Sequence, residues 1–383
     1  MRRSGLVFSC AAFVLVAACG VGDDAPPAID VVYDADSTDP ALDRYVGESL
    51  RALRVPAIAA VRMADGEIAW EGYFGVADTR TMQPVDADSR WYLASVSKVV
   101  AGAAILRAVE DGALSLDADV TTVVDIDLQH PDAPDTPFTL RQLLTHTAGI
   151  RDNWRVIEAA IVEGDSSVSL GDFVRGYLEP DGDTYDRRRN FGAAPGTAFE
   201  YSNIGLSFAA WVAGEASTGD FETLSQGAVF DPLGMTSASW RLAGSDLDAL
   251  TTPHTVRDGA WNPVEHYGYP DYPDGALRVT ARDLARFVAG HVGDDTLLQR
   301  STLDDVFTVQ DPSIDPDQGL VWARYPDYGP NVWGHEGGDV GIATVALVDV
   351  ETGEVAVVLM NGDWYDEDLV VEIAGHVLRG TTP

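Results

Sequence analysis

Two β-hairpin signals, one near each end of the chain, constrain its fold more than anything between them. Near the start, the apolar run 57–64 leads into Asp65-Gly66, and Ile68, Trp70, Tyr73 and Phe74 follow. Near the end, Ile342–Val350 and Val355–Leu359 flank Glu351-Thr352-Gly353. Turn residues of this kind between β-prone runs predict antiparallel hairpins. The middle, at about 125–310, has a different texture. Helical patches at Leu140–Thr145, Ser207–Glu215 and Ala281–His291 are separated by loops rich in Asp, Gly and Pro, including the stretch 180–197. Further helices are predicted over 96–111, starting near Ser95 and ending before Gly112, and over Glu367 to Leu378. Strands at both ends bury their apolar faces if the ends meet in one sheet. The expected class is α/β of the α+β kind. It has a mostly antiparallel sheet from both chain ends, flanked by helices, with a helical subdomain at about 125–310.

The first forty residues are read apart. Arg2 and Arg3 precede the apolar run Leu6–Val16, which is short for a bilayer span. It ends in Val16-Ala17-Ala18-Cys19-Gly20. Small residues before a Cys resemble the bacterial lipobox, in which that Cys is lipid-modified and becomes the first mature residue. The expectation is a signal peptide at 1–18, a lipidated tether at 19–39 with Cys19 as the anchor, and one domain over 40–380. The product would be an exported lipoprotein of the cell envelope, on the periplasmic face or at the outer membrane. Asp23, Asp24, Pro26 and Pro27 make 21–32 read as a short solvated tether. The other cysteine, Cys10, lies inside the signal, so no disulfide is expected.

The formal net charge is -36. A nucleic-acid partner is excluded on that ground, because phosphate binding needs Lys and Arg to displace counterions. The charge reads as a strongly solvated surface, with steering of cationic substrates as its functional alternative. Metals and organic cofactors are not expected. The seven His are scattered, and His335-Glu336 meets Asp339 where an H-E-x-x-H zinc motif needs its second His. The nearest approach to a G-x-S-x-G elbow, Gly205-Leu206-Ser207-Phe208-Ala209, lacks its final Gly.

Of the 25 basic residues, 24 are Arg and one is Lys. That one is Lys98, three residues after Ser95 in Ser95-Val96-Ser97-Lys98. Arg replaces Lys wherever only positive charge is wanted, but not where the group must release its proton. A chain that uses Arg everywhere else and Lys here points to an amine with work to do. A serine hydroxyl needs a base before it is a useful nucleophile. Residues i and i+3 share one face of a helix, so the amine reaches the hydroxyl. Ser97 has no Lys at the same spacing.

Around this pair the chain resembles the serine β-lactamase-related family, which includes class C β-lactamases, D-Ala-D-Ala carboxypeptidases, D-aminopeptidases and related esterases. The matching stretches are Val55-Pro56-Ala57, Asp65-Gly66, Gly72 to Asp78, Ser95 to Lys98, Gly112 to Asp117 and Thr139 to Gly149. Pro195-Gly196-Thr197, Tyr201-Ser202-Asn203 and Pro232-Leu233-Gly234-Met235 follow in order, so the resemblance covers nearly all of 40–378. It implies the β-lactamase/transpeptidase-like fold and an acyl-enzyme mechanism with Ser95 as nucleophile and Lys98 as base. Tyr201 would relay the proton, and Asn203 would hold Lys98 and a substrate carbonyl. His335-Glu336-Gly337-Gly338 resembles the family's third motif, Lys-Thr-Gly, in a His-x-Gly form. His335 would help the relay or touch substrate. Gly337 and Gly338 would let backbone approach the acyl group, with N–H groups of Ser95 and Gly338 as the oxyanion hole.

The departure from Lys-Thr bears on substrate. A neutral His attracts a carboxylate little, and Glu336 repels one if it faces the pocket. The expected activity is therefore a serine hydrolase on small esters or amides, esterase-like. The alternatives are a D,D-carboxypeptidase or β-lactamase acting on cell-wall peptides or β-lactams, and a non-catalytic binding lipoprotein on the same fold. Expected partners are a small ester, amide or peptide substrate and a membrane reached through the lipid. Arg187-Arg188-Arg189 reads as a solvated loop paired with acids such as Asp183 and Asp186, and His146 as a loop residue that satisfies hydrogen bonds.

Overall fold

The structure, a computed structural model, describes residues 26–27, 29–293, 296–363 and 367–383. The elements that position the site run in this order: helix α1 (Pro40–Leu53), strands β1 (Ala57–Ala64), β2 (Glu67–Asp78) and β3 (Gln83–Pro84), then helices α2 (Ser97–Glu110), α3 (Asn203–Ser217) and α4 (Ala281–Ala289). Strands β4 (Ala323–Arg324), β5 (Val332–Asp339), β6 (Ile342–Asp349) and β7 (Val355–Met360) follow, and α5 (Glu367–Arg379) closes the fold.

The seven strands form one sheet in the order β4-β5-β6-β7-β1-β2-β3, antiparallel at every pairing. The two ends of the chain meet at its centre, with Ile58 opposite Met360 and Val61 opposite Val357. Both hairpin expectations hold. The turn between β1 and β2 has Asp65 at φ 52° and Gly66 at φ 78°, the doubled left-handed geometry that Asp-Gly favours.

Side chains alternate across a strand, so each central strand serves two cores. Ala57, Ala59, Val61 and Met63 of β1 face the core that α2, α3 and α4 share, whereas Ile58 and Ala60 face the core closed by α1 and α5. Helix α2 is apolar all round from Val99 to Leu106 and is buried accordingly. The expected patches at 140–145, 207–215 and 281–291 are helical over Leu140–Leu144, Asn203–Ser217 and Ala281–Ala289, and 180–197 is irregular.

Two features depart from the sequence reading. The stretch 21–32 was expected to be a solvated tether, yet its end packs on the domain. Ile29 is buried, Val31 and Tyr33 lie against Gly47 of α1, and Pro27 O accepts from Trp261 Nε1 at 3.3 Å. The apolar side chains among the Asp and Pro residues are what the surface takes up. The second departure is that His335-Glu336-Gly337-Gly338, outside the strands read from the sequence, lies inside β5. Residues 1–18 and Cys19 lie outside the described residues. Among the described residues no helix is long and apolar enough to cross a membrane.

Candidate active site

Ser95 sits in a 3-10 turn, Ala94–Val96, that runs directly into α2. The turn is clamped from three sides. Leu93 N donates to Leu277 O at 2.9 Å, Thr344 Oγ1 of β6 donates to Leu93 O at 2.7 Å, and Leu277 N donates to Ser97 Oγ at 3.1 Å. Ala94 has φ 46°, a left-handed conformation unusual for a residue with a Cβ, directly before Ser95.

One helical turn on, Lys98 is fully buried. Its Nζ donates to Ser95 Oγ at 2.9 Å and to Asp274 O at 2.7 Å. The amine is thus held between Ser95 Oγ and a backbone carbonyl of the 3-10 turn Tyr272–Asp274. It also lies 5.0 Å from the centre of the Tyr201 ring. The i, i+3 spacing places the pair as expected.

Tyr201 is held by the start of α3. Ser202 caps that helix, its Oγ accepting from Gly205 N at 2.9 Å. Asp152 receives Ser202 Oγ at 3.1 Å, Asn203 N at 3.0 Å and Ile204 N at 3.3 Å, so a carboxyl sits on the helix N-terminus. Burial nevertheless pushes its carboxyl above the usual carboxylate range. Asn203 is buried at the first position of the helix. The Tyr201 ring lies 4.4 Å from the His146 ring and 6.3 Å from the His335 ring. His146 itself, at φ 55°, accepts from Ser202 N at 3.2 Å through Nδ1 and so fixes the loop that carries Tyr201.

His335 projects from β5 towards this cluster and is buried. Its Nδ1 lies 2.6 Å from Glu336 O and can only donate there, which leaves Nε2 as the unprotonated nitrogen. Burial, and then the charge of Lys98, push it down to about 3, so the ring is neutral at working pH. The stability consequence has a definite sign. An unfolded His takes a proton below about 6.5 that the folded ring refuses, so His335 subtracts stability as pH falls from there towards 3. In His335→Gln, the loss of unfolding free energy between pH 7 and pH 5 shrinks by on the order of 2 kcal/mol, measurable by urea titration at the two pH values. An unchanged difference would mean that the ring is not buried neutral.

Glu336 does not face this pocket. In the β5–β6 register His335 is opposite Ala346, on the α2 side, and Glu336 is opposite Val345, on the α1 and α5 side. Its Oε1 accepts from Tyr325 OH at 2.6 Å. Repulsion of a substrate carboxylate by Glu336 therefore drops out. Gly337 returns to the site face. A Cβ there would lie 2.5 Å from Leu93 O and 3.0 Å from Ser95 N, so only a residue without a side chain lets β5 lie against the turn that carries Ser95. Gly338 is next along the strand, opposite Ala343.

Ser95, Lys98, Tyr201, His335 and Gly337 thus converge on one place. Asp152 and the carbonyl of Asp274 were not foreseen, because neither has a motif or spacing of its own in the sequence. Arg187 and Arg189 are exposed and pair with Asp132 at 2.7 Å and Asp186 at 3.7 Å, as a solvated loop would.

Known proteins resemble this chain in sequence and in fold. Esterase EstB of Burkholderia gladioli is 30% identical over 243 residues, which cover 60% of this chain and 60% of EstB. Penicillin-binding protein 4* of Bacillus subtilis (strain 168) is 24% identical over 340 residues, 82% of this chain and 70% of that protein. The octameric penicillin-binding protein homologue from Pyrococcus abyssi superposes with a TM-score of 0.74 at 23% identity, over 89% of this chain and 77% of that one. The sheet from both chain ends and the helical middle are accordingly those of the β-lactamase/transpeptidase fold. The family model named Beta-lactamase matches residues 42–376, and the chain belongs to that family.

Proposed function

We propose that this chain is a serine hydrolase that works through an acyl-enzyme on esters or amides, with esters as its better substrates. The observation that carries this is the contact of 2.9 Å between Lys98 Nζ and Ser95 Oγ at a fully buried amine. Lys98, with the Tyr201 phenol as relay, takes the Oγ proton as Oγ attacks the carbonyl carbon. The oxyanion forms beside the N–H groups of Ser95 and Gly338. The leaving alcohol or amine departs with a proton returned through the same groups. Water, deprotonated in turn, then cleaves the Ser95 ester.

Substrate class follows from charge. His335 is neutral where a Lys would offer a cation. Asp274 and Asp271 are buried behind Lys98, and the chain carries a net -36. Such a site gives a substrate carboxylate little attraction. EstB is an esterase by name, which agrees. A second reading, a D,D-carboxypeptidase or β-lactamase, draws on the likeness to penicillin-binding protein 4* and on Glu336 turning away from the pocket. Turnover of p-nitrophenyl acetate, of a D-Ala-D-Ala peptide and of a penicillin by the protein without residues 1–19 separates them. Ester turnover that vanishes in Ser95→Ala is the expected result. Faster turnover of the peptide or the penicillin gives the second reading. No turnover of any, with no labelling by a serine-directed fluorophosphonate, leaves a binding protein.

The protein is further proposed to be an exported lipoprotein anchored through Cys19, from the run Val16 to Gly20. Cys19→Ala expressed in a bacterial host should move the protein from the membrane to the soluble fraction. An unchanged distribution excludes the anchor.

A further inference from the structure

The wall behind Lys98 contains two acids to which the acyl-enzyme steps above give no part. Asp271 and Asp274 bracket the 3-10 turn whose carbonyl at 274 holds Lys98 Nζ at 2.7 Å. Ser207 Oγ of α3 donates to Asp271 O at 3.0 Å and ties the turn to the helix. Asp271 is 0% exposed and Asp274 6%. Neither carboxyl oxygen of Asp271 has a donor on another described residue, its own backbone N–H apart, and the Asp274 carboxyl lies within hydrogen-bonding reach of it.

With both acids ionised, Asp271 would be a buried anion with no donor but its own backbone N–H, beside a second buried anion. Each of these conditions is costly in a medium of low dielectric. One proton removes both costs, because the protonated acid donates to its ionised neighbour. The groups that face the pair are Lys98 from α2, Asp152 from the loop before Trp154–Ala160, and Tyr177 from the helix Leu170–Leu178. Tyr269, from the segment before the turn, and Asp339 at the end of β5 complete the set. Lys98 is the one cation among them. Burial first, and then the neighbouring acids, hold both Asp271 and Asp274 above the usual carboxylate range, which agrees with a retained proton. No group of three or more metal-ligating side chains suited to a cation occurs among the described residues.

We propose that Asp271 and Asp274 hold one proton between them as a buried acid–carboxylate pair, and that this pair is a positioning element that limits its own charge beside Lys98 to a single negative one. Its kinetic consequence rests on the Ser–Lys reading above, whereas the shared proton does not. One negative charge on the pair still lets the amine give up its proton. Two would lock the ammonium in place. In alkali the remaining acid O–H gives its proton to hydroxide, forming water.

The test uses the full domain and two readouts. In an infrared difference spectrum at neutral pH, wild type minus Asp271→Asn should show the carbonyl stretch of a protonated carboxylic acid. The asparagine keeps the shape and donates to Asp274 in the acid's place. Asp271→Asn and Asp274→Asn each keep one negative charge, so the acidic limb of kcat/KM for ester hydrolysis should stay in place. The double variant loses that charge, and its limb should move down by about one pH unit. A merely structural pair would lower rates without moving the limb. Absence of the acid band from the difference spectrum overturns the shared proton. A band with an unmoved limb in the double variant overturns the positioning role. If the band is present but ester turnover does not need Lys98, the Ser–Lys reading fails and the proton pair stands.

Discussion

Replacing Lys98 by Arg should abolish ester turnover, by about a thousandfold or more, in a protein that remains folded. The substitution keeps the positive charge and removes the base, because a guanidinium stays protonated at any pH the protein survives. Charge alone is therefore not what the variant tests. The geometry makes the experiment severe. Lys98 is fully buried, and its Nζ touches Ser95 Oγ at 2.9 Å and Asp274 O at 2.7 Å directly. A guanidinium is also broader than an ammonium, and some strain against the 3-10 turn Tyr272–Asp274 is expected. Near-UV circular dichroism and the midpoint of thermal unfolding separate that strain from lost chemistry. Lys98→Met, which removes charge and bulk together, should be equally inactive. Turnover within tenfold of wild type in the folded Arg variant would falsify the assignment of Lys98 as base.

Gly337→Ala should be the second most damaging change, although the added atom is one methyl carbon. That carbon would lie 2.3 Å from Thr344 Oγ1, 2.5 Å from Leu93 O and 3.0 Å from Ser95 N. The first two atoms are hydrogen-bonded to each other, Thr344 Oγ1 donating to Leu93 O at 2.7 Å, so neither can yield alone. Strand β5 must then back away from the nucleophile turn. Displacing a reacting group by about 1 Å can cost about a hundredfold in rate. We expect kcat/KM to fall by about that factor and stability by about 1–3 kcal/mol, the usual cost of overpacking. Gly227→Ala is the matched control, since a Cβ there meets nothing within 4 Å. Urea unfolding and ester kinetics on the two variants decide the matter. If Gly337→Ala behaves like the control, close approach of β5 is not what the glycine provides.

Much of this site was legible without coordinates. Lys98 stood out because a chain with 24 Arg has no chemical reason to use a single Lys for charge. Three-residue spacing on a helix then required Ser95 and Lys98 to meet. Both hairpins were legible from turn chemistry, and the helix from 96 was legible from an unbroken apolar run. What stayed hidden shares one cause, which is that it depends on pairs of residues far apart in the chain. Asp152 serves the site only because its loop delivers it to the N-terminus of α3. The face of Glu336 was undetermined because the strand around it, interrupted by glycines, shows no alternation to read, and the β5–β6 register decides it.

The sequence by itself determined the class of fold, the meeting of Ser95 with Lys98 and the order of the motifs, since these follow from local periodicity, turn residues and side-chain chemistry. Only the tertiary structure decided that His335 is neutral, that Glu336 is turned away, that β5 lies against the nucleophile turn, and that two acids stand buried behind Lys98. Each of these depends on how much water is excluded and on which distant groups are brought within a few ångströms, and a linear sequence does not specify those distances.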